Sequence, residues 1–174
     1  MIQNRHQSQT DFRTPKIIFQ NIQKKLDVKF TLDVAASKEN ALCKDYFCEK
    51  NSALDQDWVG HVWCNPPYND IEPWVDKAIE QLKLITNSVT FLVPASTCTQ
   101  WFEKLWDHPG AYMIAFVTAR ISFEGPHISE DGRAAAPNPS VVVHLTNDNY
   151  TIRGISRWER NDLLGQTTLD EWID

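Results

Sequence analysis

Hydrophobic positions along the chain follow two rhythms, and the switches between them lay out alternating helices and strands. Ile18, Ile22 and Leu26 recur every four residues after Thr14-Pro15, which reads as an N-cap with proline at the first helical position, so a helix is predicted there. Residues 28–37 (VKFTLDVAAS) predict a buried strand that ends at Asp33 and turns through small residues. A short helical turn and a second strand near Tyr46-Phe47 follow, and LDQDW (54–58) reads as a loop. The apolar run His61 to Cys64 predicts a third strand. Beyond it, Ile71, Trp74, Val75, Ala78, Ile79 and Leu82 mark one face of a helix, with Asp70 as its cap and Pro73 in its first turn.

The alternation continues with a strand over VTFLVPAS (89–96), a helix carrying Trp101, Phe102, Leu105 and Trp106, and a strand over 111–117. In the last third, ARISF (119–123) and SVVVHL (140–145) read as two strands joined by a long loop rich in Gly, Pro and Ala. The pattern predicts an α/β fold: a mostly parallel sheet covered on both faces, with an antiparallel C-terminal strand pair. Ligands of such sheets bind beyond the carboxyl ends of the strands, where Asp33 and Asn65 fall. With 174 residues the chain is expected to form one domain over 12–174, preceded by a flexible polar segment over 1–11.

Composition narrows the partners. No run of eighteen apolar residues and no signal-peptide core is present, so a soluble cytoplasmic protein without a membrane partner is expected. The net charge of -6 argues against a protein that coats nucleic acid indiscriminately. It hides an asymmetry, because the first thirty residues carry +4 and the remainder -10, which places a basic segment containing Arg13 and Lys16 on an acidic body. Cys43, Cys48, Cys64 and Cys98 form no Cys-x-x-Cys pair, and reduced, mostly buried thiols with no metal site are expected.

The chemistry concentrates at Asn65-Pro66-Pro67-Tyr68, between the third strand and its helix. Two prolines stiffen the turn and remove two donors, leaving carbonyls free to accept. The Asn65 side-chain oxygen and the Pro66 carbonyl suit the two hydrogens of a planar NH2 group, drawing its nitrogen toward tetrahedral geometry and freeing the lone pair to attack a methyl carbon. Tyr68 offers a ring on which a flat heterocycle can stack. A proline-stiffened turn capping a helix accounts for Pro66, Pro67 and Asp70, but not for an amide followed by an aromatic.

The motif resembles that of S-adenosylmethionine-dependent amino-methyltransferases. FRTPKIIF, FTLDVAASKENALCKDYF, LDQDW, VWCNPPYNDIEPWVDKA, FLVPASTCTQWF and ARISFEG with AAPNPSVVV occur in the order of the phage-type Dam family of DNA N6-adenine methyltransferases, over roughly residues 12 to 145. The resemblance implies a single-domain Rossmann-like methyltransferase fold, shortened in the middle, with S-adenosyl-L-methionine as cofactor and adenine in DNA as substrate. Asn65, Pro66, Pro67 and Tyr68 match the catalytic motif. Thr14 and Pro15 match the segment beside the cofactor's methionine part, Asp33, Val34, Ala35 and Ala36 the loop after the first strand, and Asp57 the acidic position near the cofactor's adenine. The acid holding the ribose is Glu49, Asp55 or Asp57. One departure is DVAAS, which puts alanines where related enzymes carry a glycine-rich turn.

An enzyme acting on a base in duplex DNA rotates it out of the stack and holds the strand on both sides. Arg13, Lys16, Arg120 and Arg133, the last inside the long loop, are the candidate DNA contacts. With no separate recognition domain, recognition is expected to be short, by a monomer or weak homodimer, in the host cytoplasm if the protein is phage-encoded. The alternatives are a protein-glutamine or RNA adenine amino-methyltransferase using the same site, and a cofactor-free nucleic-acid-binding relic. His61 and His127 are expected to be structural or solvated, and of the tryptophans only Trp58 and Trp63 lie near the site.

Overall fold

Runs such as Val-Thr-Phe-Leu-Val and Ser-Val-Val-Val-His-Leu, β-branched and aromatic almost throughout, cannot remain half-exposed, and they form the middle of a sheet buried on both faces. The computed structural model describes residues 12–84, 86–125, 134–135, 138–147 and 154–166. Its strands are β1 (Leu32–Asp33), β2 (Asp45–Tyr46), β3 (Gly60–Cys64), β4 (Thr86–Pro94), β5 (Ala111–Thr118), β6 (Ser122–Phe123), β7 (Ala134–Ala135), β8 (Ser140–Thr146) and β9 (Gly154–Glu159). Seven of them form one sheet in the order β2-β1-β3-β4-β8-β5-β9, and β6 pairs with β7 in a separate ribbon.

The antiparallel character sits inside the sheet. Strand β8 runs against both β4 and β5, every one of its residues is buried, and the remaining pairs are parallel. The stretch 119–123 does not accompany it in the sheet, since only Ser122 and Phe123 are extended there and they pair with β7. Ala119 takes a left-handed conformation (φ 56°) that turns the chain away after β5. The edge strand β9 escapes the hydrophobic pattern because only Trp158 among its residues is buried.

Side chains alternate between the two sheet faces, and helices close each. Val89, Phe91 and Val143 meet Val75, Ala78 and Leu82 of α2 (Glu72–Leu82) and Phe102 and Leu105 of α3 (Gln100–Asp107). Trp63, Leu92 and Val142 face Ile18 and Ile22 of α1 (Lys16–Leu26) and Leu163 of α4 (Arg160–Leu163). Each of the Val, Leu, Ile and Phe side chains contributes about 1.5 to 3 kcal/mol by leaving water. Lys104 joins α3 to α2 through Glu72 at 2.9 Å and Asp76 at 2.6 Å. Between β1 and β3 the chain forms the two-residue strand β2 and, in place of a full helix, two short 3-10 turns, Glu49–Asn51 and Ala53–Asp55, so the middle of the fold is shortened as the resemblance implies.

Two helix starts differ from the pattern. Pro15, not Thr14, occupies the N-cap of α1, because Arg13 is pinned to Glu124 in an isolated antiparallel bridge and the helix begins at Lys16. Ile71, not Asp70, precedes α2, and the Asp70 N–H donates instead to the Pro67 carbonyl at 3.2 Å. Of the cysteines only Cys64 is buried, Cys98 is exposed, and all four are free thiols. Trp58 is a core residue: its indole N–H donates to the Ala53 carbonyl at 2.8 Å and its backbone N–H to the Gln81 Oε1 at 2.7 Å. No helix among the described residues is long and apolar enough to cross a membrane.

His61 and His144 belong to the scaffold. Nδ1 of His61 lies 2.8 Å from Ser88 Oγ, and Nδ1 of His144 lies 2.7 Å from Thr90 Oγ1. Burial, followed by the neighbouring His61, pulls His144 from an ordinary 6.5 down to about 4. The unfolded chain therefore takes up a proton between pH 6.5 and 4 that the native protein refuses. The stabilising contribution is complete above pH 6.5 and lost as pH falls toward 4, amounting to at most about 3 kcal/mol. Urea unfolding at pH 7.5 and pH 4.5 is expected to show a smaller acid loss for His144→Gln than for the wild type. Equal losses contradict the assignment.

Candidate active site

The site begins with a register. Leu32 and Asp33 of β1 lie opposite Val62 and Trp63 of β3, so Asp33 and the Asn65 turn leave the sheet at the same edge. Backbone bonds carry the pairing past the strand: Val34 N–H donates to the Trp63 carbonyl at 3.1 Å, Phe47 N–H to the Asp33 carbonyl at 2.9 Å, and Ala36 N–H to the Phe47 carbonyl at 3.1 Å. The turn after β1 is therefore tied to β2 as well as β3, and DVAAS is held in shape without glycine.

A cavity of about 940 Å³ opens over this edge, and among its walls are Val34, Ala35, Ala36, Phe47, Glu49 and Asn65. A recess of about 20 Å³ adjoins it beside Thr14, Asp33, Asn40, Leu42 and Trp63, and Phe12, Arg13, Ala35, Asn40 and Asn65 line both spaces. The larger volume lies in the range of small-molecule sites.

Asp33 dominates the electrostatics of the recess. It is 4% exposed, and burial pushes its carboxyl up to about 6 against the pull of the Leu42 and Ala35 backbone N–H groups. The Leu42 N–H donates to Asp33 Oδ2 at 3.1 Å, and among the described residues no ion pair reaches the carboxylate. The Thr14 hydroxyl, displaced from a capping role, is buried with no partner beside it. A buried carboxylate without a cation and an idle hydroxyl fit a ligand with a positively charged and hydrogen-bonding end.

Across the recess, the Asn65 Oδ1 is buried with no partner, while its Nδ2 donates to the Phe12 carbonyl at 2.6 Å. Pro66 is buried and both prolines line the large cavity. Tyr68 differs from the open stacking platform expected of it. The Phe12 ring lies against its face, with centroids 5.3 Å apart and planes at 28°, and Phe123 meets it edge-on at 6.0 Å. The Tyr68 hydroxyl is buried without a partner, and burial raises its pKa.

The remaining expected residues divide. Asp57 is exposed before β3 and, like Asp55, lies outside the cavity walls, whereas Glu49 is among them. Pro15 is buried at the start of α1, and Lys16 is exposed beside it. Arg120 is exposed after β5, away from both cavities, and its carbonyl accepts from Arg160 Nη1 at 3.4 Å. Arg133 and His127 lie outside the described residues. Among the described residues no cluster suits a metal ion. Phe12, Asn40, Leu42 and Phe47 are wall residues that composition and periodicity do not single out, although Phe12 stands in the same FRTP stretch as Thr14 and Pro15.

An open α/β sheet, a cavity across the carboxyl ends of β1 and β3, and an Asn-Pro-Pro-Tyr turn at its rim together define a Rossmann-like domain of the methyltransferase type. More narrowly, the chain belongs to the DNA N-6-adenine-methyltransferase (Dam) family, whose sequence profile matches residues 3–168. It is 34% identical over 111 residues to the DNA N-6-adenine-methyltransferase of Escherichia phage T1, a match covering 62% of this chain and 45% of that one. It is 32% identical over 120 residues to the DNA N-6-adenine-methyltransferase of Haemophilus phage HP1 (strain HP1c1), covering 68% of each. The aligned region thus spans less than half of the T1 relative. Among solved structures, a Pyrococcus horikoshii protein described as an RNA methyltransferase superposes with a TM-score of 0.49 at 14% identity, over 78% of this chain and 85% of that one.

The raised Asp33 carboxyl has a measurable cost. Its protonated form is favoured by the fold, so this contribution is full below the ordinary 3.8 and is lost as pH rises through about 6. Asp33→Asn, which does not titrate, is expected to make the ligand-free protein more stable at pH 7.5 by about 1 to 3 kcal/mol, with the gain shrinking toward zero at pH 4. Urea unfolding at the two pH values measures it, and a gain independent of pH contradicts the assignment.

Proposed function

We propose that the protein methylates the N6 amine of adenine in DNA, with S-adenosylmethionine as methyl donor. The observation that carries this reading is the Asn65 Oδ1, a buried acceptor with no partner, on a residue that lines both the large cavity and the recess holding Asp33, whose carboxylate has no ion-pair partner among the described residues. Family membership supplies the substrate class.

Bound S-adenosylmethionine would supply an electrophilic methyl carbon, its S–C bond breaking as the N–C bond forms and its electron pair staying on sulfur in the departing S-adenosylhomocysteine. Asp33 and Thr14 suit the cationic methionine end, with Asp33 gaining the counter-charge it lacks. Val34, Ala35, Ala36 and Phe47 provide apolar wall for the nucleoside, and Glu49 is the acid placed to meet ribose hydroxyls. The Asn65 Oδ1 and the Pro66 carbonyl accept the two amine hydrogens of the adenine. These bonds strengthen as the nitrogen turns tetrahedral and forms its bond to carbon, so they favour the transition state over the ground state. The amine proton is lost after the transfer, and no strong base is required.

The base stacks on Tyr68 only once the Phe12 ring has left that face. A side-chain rotation achieves this without moving the backbone, which the bridge to Glu124 pins. Arg13, lining both cavities, Lys16 and Arg120 are the proposed phosphate or base-edge contacts.

Single-turnover transfer from labelled cofactor to adenine-containing DNA tests the proposal. Asn65→Ala is expected to slow the reaction by about 100-fold or more while altering cofactor binding far less. An active Asn65→Ala protein refutes the mechanism. Tyr68→Ala loses a platform worth on the order of 1 to 3 kcal/mol per stacked base, whereas Tyr68→Phe keeps the ring and sheds an unsatisfied hydroxyl. Tyr68→Phe should retain activity and gain about 1 kcal/mol of stability. If it is as inactive as Tyr68→Ala, the hydroxyl is chemical rather than idle. Saturating S-adenosylmethionine should also raise the unfolding midpoint.

A further inference from the structure

Asn65 is held from behind by a group that can only accept. Its Nδ2 lies 2.6 Å from the Phe12 carbonyl oxygen, and since that oxygen offers no hydrogen, the amide end facing it has to be the NH2 group. The Oδ1 is turned the opposite way, buried and without a partner, on a residue that lines both cavities. Phe12 is itself anchored. The next residue, Arg13, exchanges two backbone hydrogen bonds with Glu124, N–H to carbonyl in each direction and each 2.8 Å, so the backbone stays in place when the Phe12 ring turns.

We propose that the backbone carbonyl of Phe12 is the positioning group of the amine site, selecting which end of the Asn65 amide meets the substrate, and that the Arg13–Glu124 pair clamps it there. The proposal rests on the reading of Asn65 as acceptor of the amine hydrogens. A free carboxamide turns over readily and offers NH2 as often as oxygen, and NH2 against an amine sets donor against donor. One accepting oxygen behind the amide removes that ambiguity. It also gives a physical reason for asparagine instead of aspartate, because an ionised carboxylate sets oxygen against oxygen at this distance. The clamp joins the segment before α1 to the β6–β7 ribbon, so the orientation of the reactive amide depends on two stretches far apart in sequence.

The test replaces Asn65 by Asp in the full-length protein and follows single-turnover methylation of adenine-containing DNA from pH 5.5 to 8.5. Ionised, the introduced carboxyl repels the Phe12 carbonyl; protonated, it donates to that carbonyl and presents its other oxygen to the amine. The Asn65→Asp rate divided by the wild-type rate should be about 100-fold down at pH 8.5 and recover at least tenfold by pH 5.5. The charged or titratable groups facing this position are Arg13, Asp33, Lys38, Glu39, Glu49 and Lys50, with the Cys64 thiol and Tyr68 phenol kept neutral by burial. Asp33 lines the same recess and couples to the introduced carboxyl, so the ratio is also measured in an Asp33→Asn background, where that coupling is gone. A constant ratio overturns the proposal.

The second arm needs no activity. Carbon-13 NMR should show the introduced carboxyl titrating well above the ordinary range, and Glu124→Pro in the same protein, which removes the N–H that holds Arg13, should bring it back down. If wild-type protein methylates DNA adenine but Glu124→Pro leaves that titration unmoved, the clamp is refuted. If wild-type protein transfers no methyl group while the titration responds as described, the clamp stands and the adenine reading fails. Should Glu124→Pro not fold, the rate ratio of Asn65→Asp decides for the Phe12 carbonyl, and Arg13→Pro in the same protein, which removes the other bond of the pair, decides for the clamp by the same titration.

Discussion

Leu32 and Asp33 lie alongside Val62 and Trp63, and on this two-residue ladder the shared placement of Asp33 and Asn65 depends. In a parallel pair both strands end on the same side, so a carboxylate from one and an amide from the other arrive together with no long loop to carry them. The bonds Val34 to Trp63 and Phe47 to Asp33 extend the ladder just far enough to fix the turn beyond it. A one-residue slip would send Asp33 to the opposite face of the sheet, away from the recess shared with Asn65.

What the ladder brings together is an assembly of incomplete electrostatics. Among the described residues Asp33 lacks a cation, the Thr14 hydroxyl and the Asn65 oxygen lack donors, and the Tyr68 hydroxyl is idle; outside this region the buried side-chain atoms without a partner are Ser140 Oγ and Arg160 Nε. Each such group costs about 1 to 3 kcal/mol when buried alone. Their concentration at the carboxyl edge, while the polar residues elsewhere in the sheet such as His61, Ser88, Thr90 and His144 find one another, separates site from scaffold. Tyr68 shows the same division within one residue: its ring completes an aromatic cluster with Phe12 and Phe123, while its hydroxyl contributes nothing to the resting fold.

Much of this was legible in the chain. The helices α1 and α2 follow from four-residue spacing, and Asn65-Pro66-Pro67-Tyr68 declares itself because its residue types are chemically unusual at a strand end. What was not legible has physical causes. The Phe12 carbonyl carries no residue signature, since every residue has one. Glu49 replaces Asp57 in the cavity wall because two 3-10 turns decide which acid faces inward, and such short turns impose no period on the sequence. Strand β9 offers one buried side chain, too few to register as alternation. The antiparallel strand was visible, but its neighbours were not, because a run apolar on both faces says that it is central without saying between whom.

That insertion of β8 between β4 and β5 has a consequence for how the chain is made. Strands β4 and β5 follow one another in sequence yet share no hydrogen bonds; each pairs with residues 140–146. Until a ribosome has delivered those residues, both strands carry an open edge lined with unpaired N–H and C=O groups, and the two halves of the sheet have nothing to join them. Closure waits on a partner some fifty residues from β4, so the loop entropy falls late in synthesis. The carboxyl edge with Asp33 and Asn65 can form locally before then, but the platform supporting it becomes continuous only when the last central strand slides into its gap.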